Sequence, residues 1–179
     1  MPAELSPLVD RGLRLVRVDF APAHRPPSGP RVVAALALSV AGSLAVDALL
    51  VTLGEAVFPS TKGFGHFQFS DYAKLTVIGV VIACLAWPIV TRISSAPRWL
   101  FFRLAIAVTL VLWLPDLYIL YQGESARAVA VLMVMHLAIA LVTYNCLVRI
   151  APVRASGGSA GSHARRPASV SDRFARRGN

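Results

Sequence analysis

The chain has 179 residues, a net charge of +9 and an apolar content of 56%, with arginine outnumbering lysine 16 to 2. Four long apolar runs take up most of that length and leave only two tails and three loops, too little for a soluble catalytic domain. The basic residues sit in the tails and the middle loop, and the C-terminal tail with its single aromatic, Phe174, offers no stacking platform, an arrangement that argues against nucleic acid and for a membrane surface.

Residues 1–31 form a cytoplasmic leader. Within it, "LSPLVDRGLRLVRVDF", residues 5 to 20, puts Val9, Leu13, Val16 and Phe20 at helical spacing, with Arg11, Arg14 and Arg17 elsewhere on the wheel. That pattern suits a short amphipathic helix on the inner leaflet, or else a solvated leader, since Gly12 weakens the helix. The leader is too long and polar for a signal-peptide n-region, so the first apolar run is read as a retained span. "APAHRPPSGP", residues 21 to 30, reads as a stiff non-helical link.

The membrane domain covers residues 32–150. Its spans fall at about 32–53, 73–91, 99–121 and 128–148; at ~1.5 Å per residue each matches a hydrocarbon core of ~30 Å. On the first span, Ala35, Ser39 and Ser43 precede Asp47 at four-residue steps with Gly42 beside them, a small-residue face that admits another helix closely. Gly79 and Ala83 offer a comparable face on the second. The loop between these spans holds Phe58, Phe64, Phe67, Phe69 and Tyr72 and reads as an interfacial aromatic segment, with Ser70 and Asp71 placed to cap the second span.

Arg92 and Arg98 lie in the middle loop, while Arg103 enters the third span and is read as snorkelling to the inner headgroups, with Asn145 at similar depth as its hydrogen-bonding partner. Near the other end of that span, "LWLPDLYILY", residues 112 to 121, pairs a helix breaker with a charge. Pro115 removes a backbone donor and kinks the helix, and Asp116 brings a carboxylate to membrane depth. A five-residue turn, "QGESA", follows, in which Gly123 ends one helix and Ser125 starts the next. The fourth span then presents His136, Ala140 and Thr143 on one face.

Beyond Pro152 the composition shifts to Gly, Ser, Ala and Arg, so residues 151–179 are expected to be a disordered basic cytoplasmic tail that contacts anionic headgroups. "RRPAS", Arg165 to Ser169, resembles a basic-directed phosphorylation site. Cys84 and Cys146 stand at different depths and read as small buried side chains rather than a disulfide. Arginine on both tails and in the middle loop, against Lys62, Lys74 and Arg127 on the other side, puts both termini in the cytoplasm. The expected fold is therefore all-α, an antiparallel four-helix transmembrane bundle, and the Arg, Ala and Val bias suggests a bacterial plasma membrane.

Ionisable groups inside hydrocarbon are costly and mark the places where function concentrates. Asp47, Asp116 and His136 fall in one layer roughly 8 to 12 Å below the outer surface, with His136 across a tight hairpin from Asp116. Asp116 then either lies at the outer interface with Tyr118 and Tyr121, locks the bundle as a structural polar group, or serves transport or catalysis. No nucleophile with a base, no phosphate loop and no convincing metal or haem ligand set is present, so neither a catalytic residue nor a cofactor is expected.

The segment from Tyr72 to Ile150 resembles an uncharacterised family of small four-helix integral membrane proteins, found mainly in actinobacteria, known as a domain of unknown function. The likeness rests on the small-residue second span followed by "RISSAPRWLFFRLAIAV", residues 92 to 108, and on "VLMVMHLAIALV", residues 131 to 142. It implies fold and membrane location and no activity. Three functions are consistent with the residues. The leading one is a non-enzymatic accessory or scaffold protein associating with lipids, a membrane protein partner or a second copy of itself, motivated by the small-residue faces and the lack of a chemical motif. The second is a small proton-linked carrier or permeability protein using the Asp47, Asp116 and His136 layer; the third is a membrane-embedded lipid-modifying enzyme.

Overall fold

The computed structural model describes residues 7–15, 17–18 and 24–155; Val16, Phe20 and the tail beyond 155, with its Arg165 to Ser169 motif, lie outside the described residues. The described chain is mostly helical. α1 spans Pro7–Leu15, α2 Gly29–Val57, α3 Phe69–Ile93, α4 Pro97–Tyr121 and α5 Ala126–Ile150. The last four are each long and apolar enough to cross a membrane, and they make this a multi-pass membrane protein. On α1, Val9 and Leu15 are exposed.

Each spanning helix starts before its apolar run does, because backbone hydrogen bonding continues through polar residues where hydropathy has already fallen. Proline in the first turn of α2 and α4 costs no hydrogen bond, since those amides have no partner inside the helix. α3 begins at Phe69 with Gln68 at the N-cap and no side-chain cap, so Ser70 and Asp71 do not cap it; they lie inside the first turn, where Asp71 complements the helix dipole. α3 continues through Pro88 and α4 through Pro115. One turn after Pro88, the Thr91 hydroxyl donates to its carbonyl at 2.8 Å.

Packing is most extensive between α2 and α5; α5 also packs on α4, and α3 touches α2, α4 and α5. Two glycines set the α2–α5 distance. A Cβ at Gly54 would stand 2.9 Å from Val131 Cγ2, and one at Gly42 would stand 3.1 Å from Val142 Cγ1. Ala35, Ser39, Ser43 and Asp47 follow each other along the same buried face of α2. Gly79 does not take part in such a face: it is exposed, and nothing lies within 4 Å of where its Cβ would be. The buried stripe of α3 runs instead through Tyr72, Thr76, Val80, Cys84 and Trp87.

The main apolar cluster lies toward the end of the helices where the chain enters α2 and leaves α5. Trp87, Phe101, Leu147 and Ala35 are buried in it with Val80 and Cys84, and the Trp87 ring meets Phe101 edge-on at 5.1 Å. Trp87 Nε1 donates to the Ala151 carbonyl at 2.8 Å, so the indole satisfies the end of α5 while filling the core. β1 (His24–Arg25) pairs antiparallel with β2 (Arg154–Ala155) at this end, which gives the expected irregular link a short strand. His24 Nε2 lies 3.2 Å from the Ser95 carbonyl, and Ser94 Oγ donates to the Arg17 carbonyl at 2.7 Å.

At the opposite end the loop aromatics pack on each other: Phe64 meets Phe67 at 5.1 Å and Phe69 meets Tyr72 at 5.4 Å, with Phe67 and Tyr72 buried. Gly123 adopts φ 97° in the turn between α4 and α5, a left-handed conformation that a side chain would strain. Replacing Gly54 by Leu should lower unfolding stability by about 1–3 kcal/mol, because the new side chain must displace Val131. Gly79→Ala should leave stability unchanged or raise it; thermal unfolding of both variants in detergent checks the pair.

Candidate functional site

Asp47, Asp116 and His136 come from three different helices, and the structure brings two of them into direct contact. His136 Nδ1 stands 3.0 Å from Asp116 Oδ2. The same nitrogen lies 3.0 Å from the Leu132 carbonyl, one turn back on α5. A single Nδ1 proton serves one good acceptor, so the Leu132 carbonyl and Asp116 Oδ2 compete for it. Asp116 is 6% exposed and packs against α5, whereas the His136 side chain is 25% exposed.

Trp113 fixes the register of this pair. Its Nε1 donates to the Met133 carbonyl at 3.1 Å. Trp113 precedes Asp116 by three residues and Met133 precedes His136 by three, so each lies one turn along the same face of its helix. One hydrogen bond between α4 and α5 therefore sets the level at which acid and imidazole meet. Pro115 is exposed, so the residue that interrupts the backbone ladder faces outward while its neighbour Asp116 faces α5.

Asp47 is completely buried. Its Oδ2 accepts a 2.8 Å hydrogen bond from Thr76 Oγ1 on α3, and its Oδ1 has no partner. His136 is within Coulombic reach of Asp47 as well as of Asp116, and His66 in the loop is within reach of Asp116. Ser39 Oγ, Ser43 Oγ and Thr143 Oγ1 are also buried without a partner. Thr76 carries no motif of its own; the signal for it is helical spacing, since it lies four residues from both Tyr72 and Val80 on the buried stripe of α3.

The basic positions divide differently from expectation. Arg103 does not pair with Asn145: its guanidinium lies over the Trp99 ring at 4.0 Å, with Arg17 at 5.3 Å from the same ring, while Asn145 Nδ2 donates to the Leu141 carbonyl at 2.8 Å. A flat guanidinium gains more from an aromatic face than from a single amide when both are at hand. Arg92 and Arg98 are exposed, Arg92 in the last turn of α3, where it complements the dipole. Among the described residues no group of three or more His, Cys, Asp or Glu side chains is arranged to hold a metal ion.

Chemically the layer can hold a proton between Asp116 and His136 and a single negative charge at Asp47, in a medium where either is expensive unless matched. Thr76→Val should cost about 1–3 kcal/mol of stability by leaving both Asp47 oxygens without a donor. Thr76→Ser should restore most of the loss, and thermal unfolding of the two variants side by side checks it.

No curated protein and no solved structure matches the chain. The sequence model described as Family of unknown function (DUF6069) matches residues 23–152, which takes in all four spanning helices and the residues of the polar layer. The match reaches further toward the N-terminus than the Tyr72 to Ile150 resemblance and includes Asp47. On that coverage the chain belongs to DUF6069, a family of unknown function.

Proposed function

We propose that the protein is a small proton-linked carrier or permeability protein of a bacterial plasma membrane, an antiparallel four-helix bundle with both termini in the cytoplasm. The observation that carries this reading is the 3.0 Å approach of His136 Nδ1 to Asp116 Oδ2 between two spanning helices. An imidazole and a carboxylate in contact, away from bulk water, form a site whose charge changes by whole protons. Asp47 supplies a second acid within reach of His136, and His66 in the loop is within reach of Asp116. Arginines on the tails and in the α3–α4 turn, facing two lysines and Arg127 at the other end, support the orientation.

Association is the second reading, and Asn145 favours it. Its side chain is exposed on α5 with one N–H bonded back to Leu141, which leaves an amide oxygen on the outer surface of a spanning helix. Such groups favour a neighbouring helix that completes their bonding. The observation does not compete with the polar layer, which faces inward.

Purified protein in liposomes carrying a trapped pH dye should collapse an imposed pH gradient faster than protein-free liposomes. Asp116→Asn and His136→Gln should each slow that flux by tenfold or more, since removing a relay group costs a factor of this order. Equal flux in wild type and Asp116→Asn rejects the proton-linked reading, and a stoichiometric partner co-purifying from native membranes then supports association.

A further inference from the structure

Two guanidiniums share one indole at the end of the bundle where the chain enters α2. Arg103 Cζ lies 4.0 Å from the centroid of the Trp99 ring and Arg17 Cζ 5.3 Å from the same ring. The two charges therefore stand within about 9 Å of each other, close to the screening length of ~8 Å at physiological salt, and they repel. Arg103 meets Trp99 by helical spacing, four residues along α4. Arg17 arrives from the leader.

Its arrival is enforced by the backbone. Arg17 has φ 54°, the one non-glycine residue with positive φ among the described residues, in a conformation that disfavours a side chain. Neighbours hold it there. The Val18 amide donates to the Leu13 carbonyl at 2.9 Å, Val18 pairs with Ser94, and the wholly buried Ser94 donates its hydroxyl to the Arg17 carbonyl at 2.7 Å. The α3–α4 turn thus places the Arg17 guanidinium beside Arg103.

Depth in the membrane decides what the pair can meet. The 25 residues of α4 are ~37 Å long against a hydrocarbon core of ~30 Å, and Arg103 lies roughly 9 Å along the helix from Pro97. Helical side chains lean toward the N-terminus of their own helix, which carries the Arg103 guanidinium back over Trp99 to the level of the headgroups. Arg25, Arg92, Arg98 and Arg154 are exposed at the same end. Among the described residues neither Arg17 nor Arg103 forms an ion pair with a carboxylate. The ring attracts each cation but has no net charge, so it leaves their mutual repulsion in place. A phosphate removes it, because its oxygens accept from both guanidinium forks at once.

We propose that Arg17, Trp99 and Arg103 form a binding site for an anionic glycerophospholipid, with its phosphate held by the two guanidiniums. Phe102 and Ile106, exposed three and seven residues beyond Trp99, continue the same face of α4 into the hydrocarbon and offer it to the acyl chains. That apolar strip favours a lipid over a free phosphate ion. A zwitterionic lipid would bring a third cation to the pair, and an anionic one does not. The site requires neither proton flux nor a protein partner, so it stands or falls apart from the carrier reading.

The test is native mass spectrometry and thermal unfolding of the full-length protein in detergent micelles that carry a fixed fraction of phosphatidylglycerol or phosphatidylcholine. One phosphatidylglycerol per chain should be retained, and at ten times its Kd it should raise Tm by roughly 3–6 °C over phosphatidylcholine. Arg17→Gln and Arg103→Gln should each weaken retention by about tenfold or more, the loss expected for a hydrogen bond to a charged group. Arg92→Gln and Arg149→Gln remove the same charge from the last turns of α3 and α5, outside the Trp99 contacts, and should change it less than about twofold. Arg17→Gln carries the result if Arg103→Gln fails to fold. Equal losses in all four variants reduce the effect to general charge attraction and overturn the site, as does equal retention of the two lipids. Sodium phosphate at matched ionic strength should give no shift; a shift equal to that of phosphatidylglycerol overturns the lipid as occupant.

Discussion

The close approach of α2 to α5 is the constraint on which the remaining structure depends. A methyl group at Gly54 would displace Val131 and one at Gly42 would press on Val142, and between them the face of α2 carries only Ser43 and Asp47 as buried side chains. In hydrocarbon there is no hydrophobic drive to bring helices together, so dispersion contacts across such small-residue faces have to supply it. The same closeness fixes what the face can contain. Bulky apolar residues would hold the helices apart, whereas serine and aspartate fit and bring polarity into the interior.

That polarity is handled unevenly along the molecule. Asp47 is met by Thr76, Asp116 by His136, and Trp113 by a carbonyl of α5. Each of these contacts crosses between helices, so polar groups here tie the helices to one another and specify a register that apolar packing would leave loose. Ser39, Ser43 and Thr143 form no such bond. The interior is therefore not a fully satisfied polar lock: one Asp47 oxygen and these three hydroxyls stay without a bond among the described residues.

Most of the architecture was legible in the sequence because membrane insertion simplifies the pattern. Four runs long enough to span, with Gly123 and Ser125 marking one turn, define four helices before any packing is considered. The four-residue steps from Ala35 to Asp47 pointed to the buried face of α2. Other features were not readable. Gly79 and Ala83 suggested the packing face of α3, but the stripe lies one position along, through Thr76 and Val80, because in a span apolar on all sides hydropathy does not say which side meets protein. Arg103 choosing Trp99 over Asn145, and Trp113 clamping Asp116 against His136, are matters of rotamer and inter-helix level that spacing along one chain does not contain.

The two ends of the molecule are closed by different means. Where the chain enters α2 and leaves α5, Trp87, Phe101, Leu147 and Ala35 close the interior with apolar bulk, and the β1–β2 pair with the Ser94 and Ser95 contacts ties leader, turn and tail together. At the other end, Asp116 is answered by His136, whose side chain is partly exposed, and His66 is within Coulombic reach in a loop built from short 3-10 turns. The two ends are thus held by different means: the loop end by aromatic edge contacts beside a partly exposed imidazole, the other by an indole that fills the core while its Nε1–H donates to the Ala151 carbonyl just past α5.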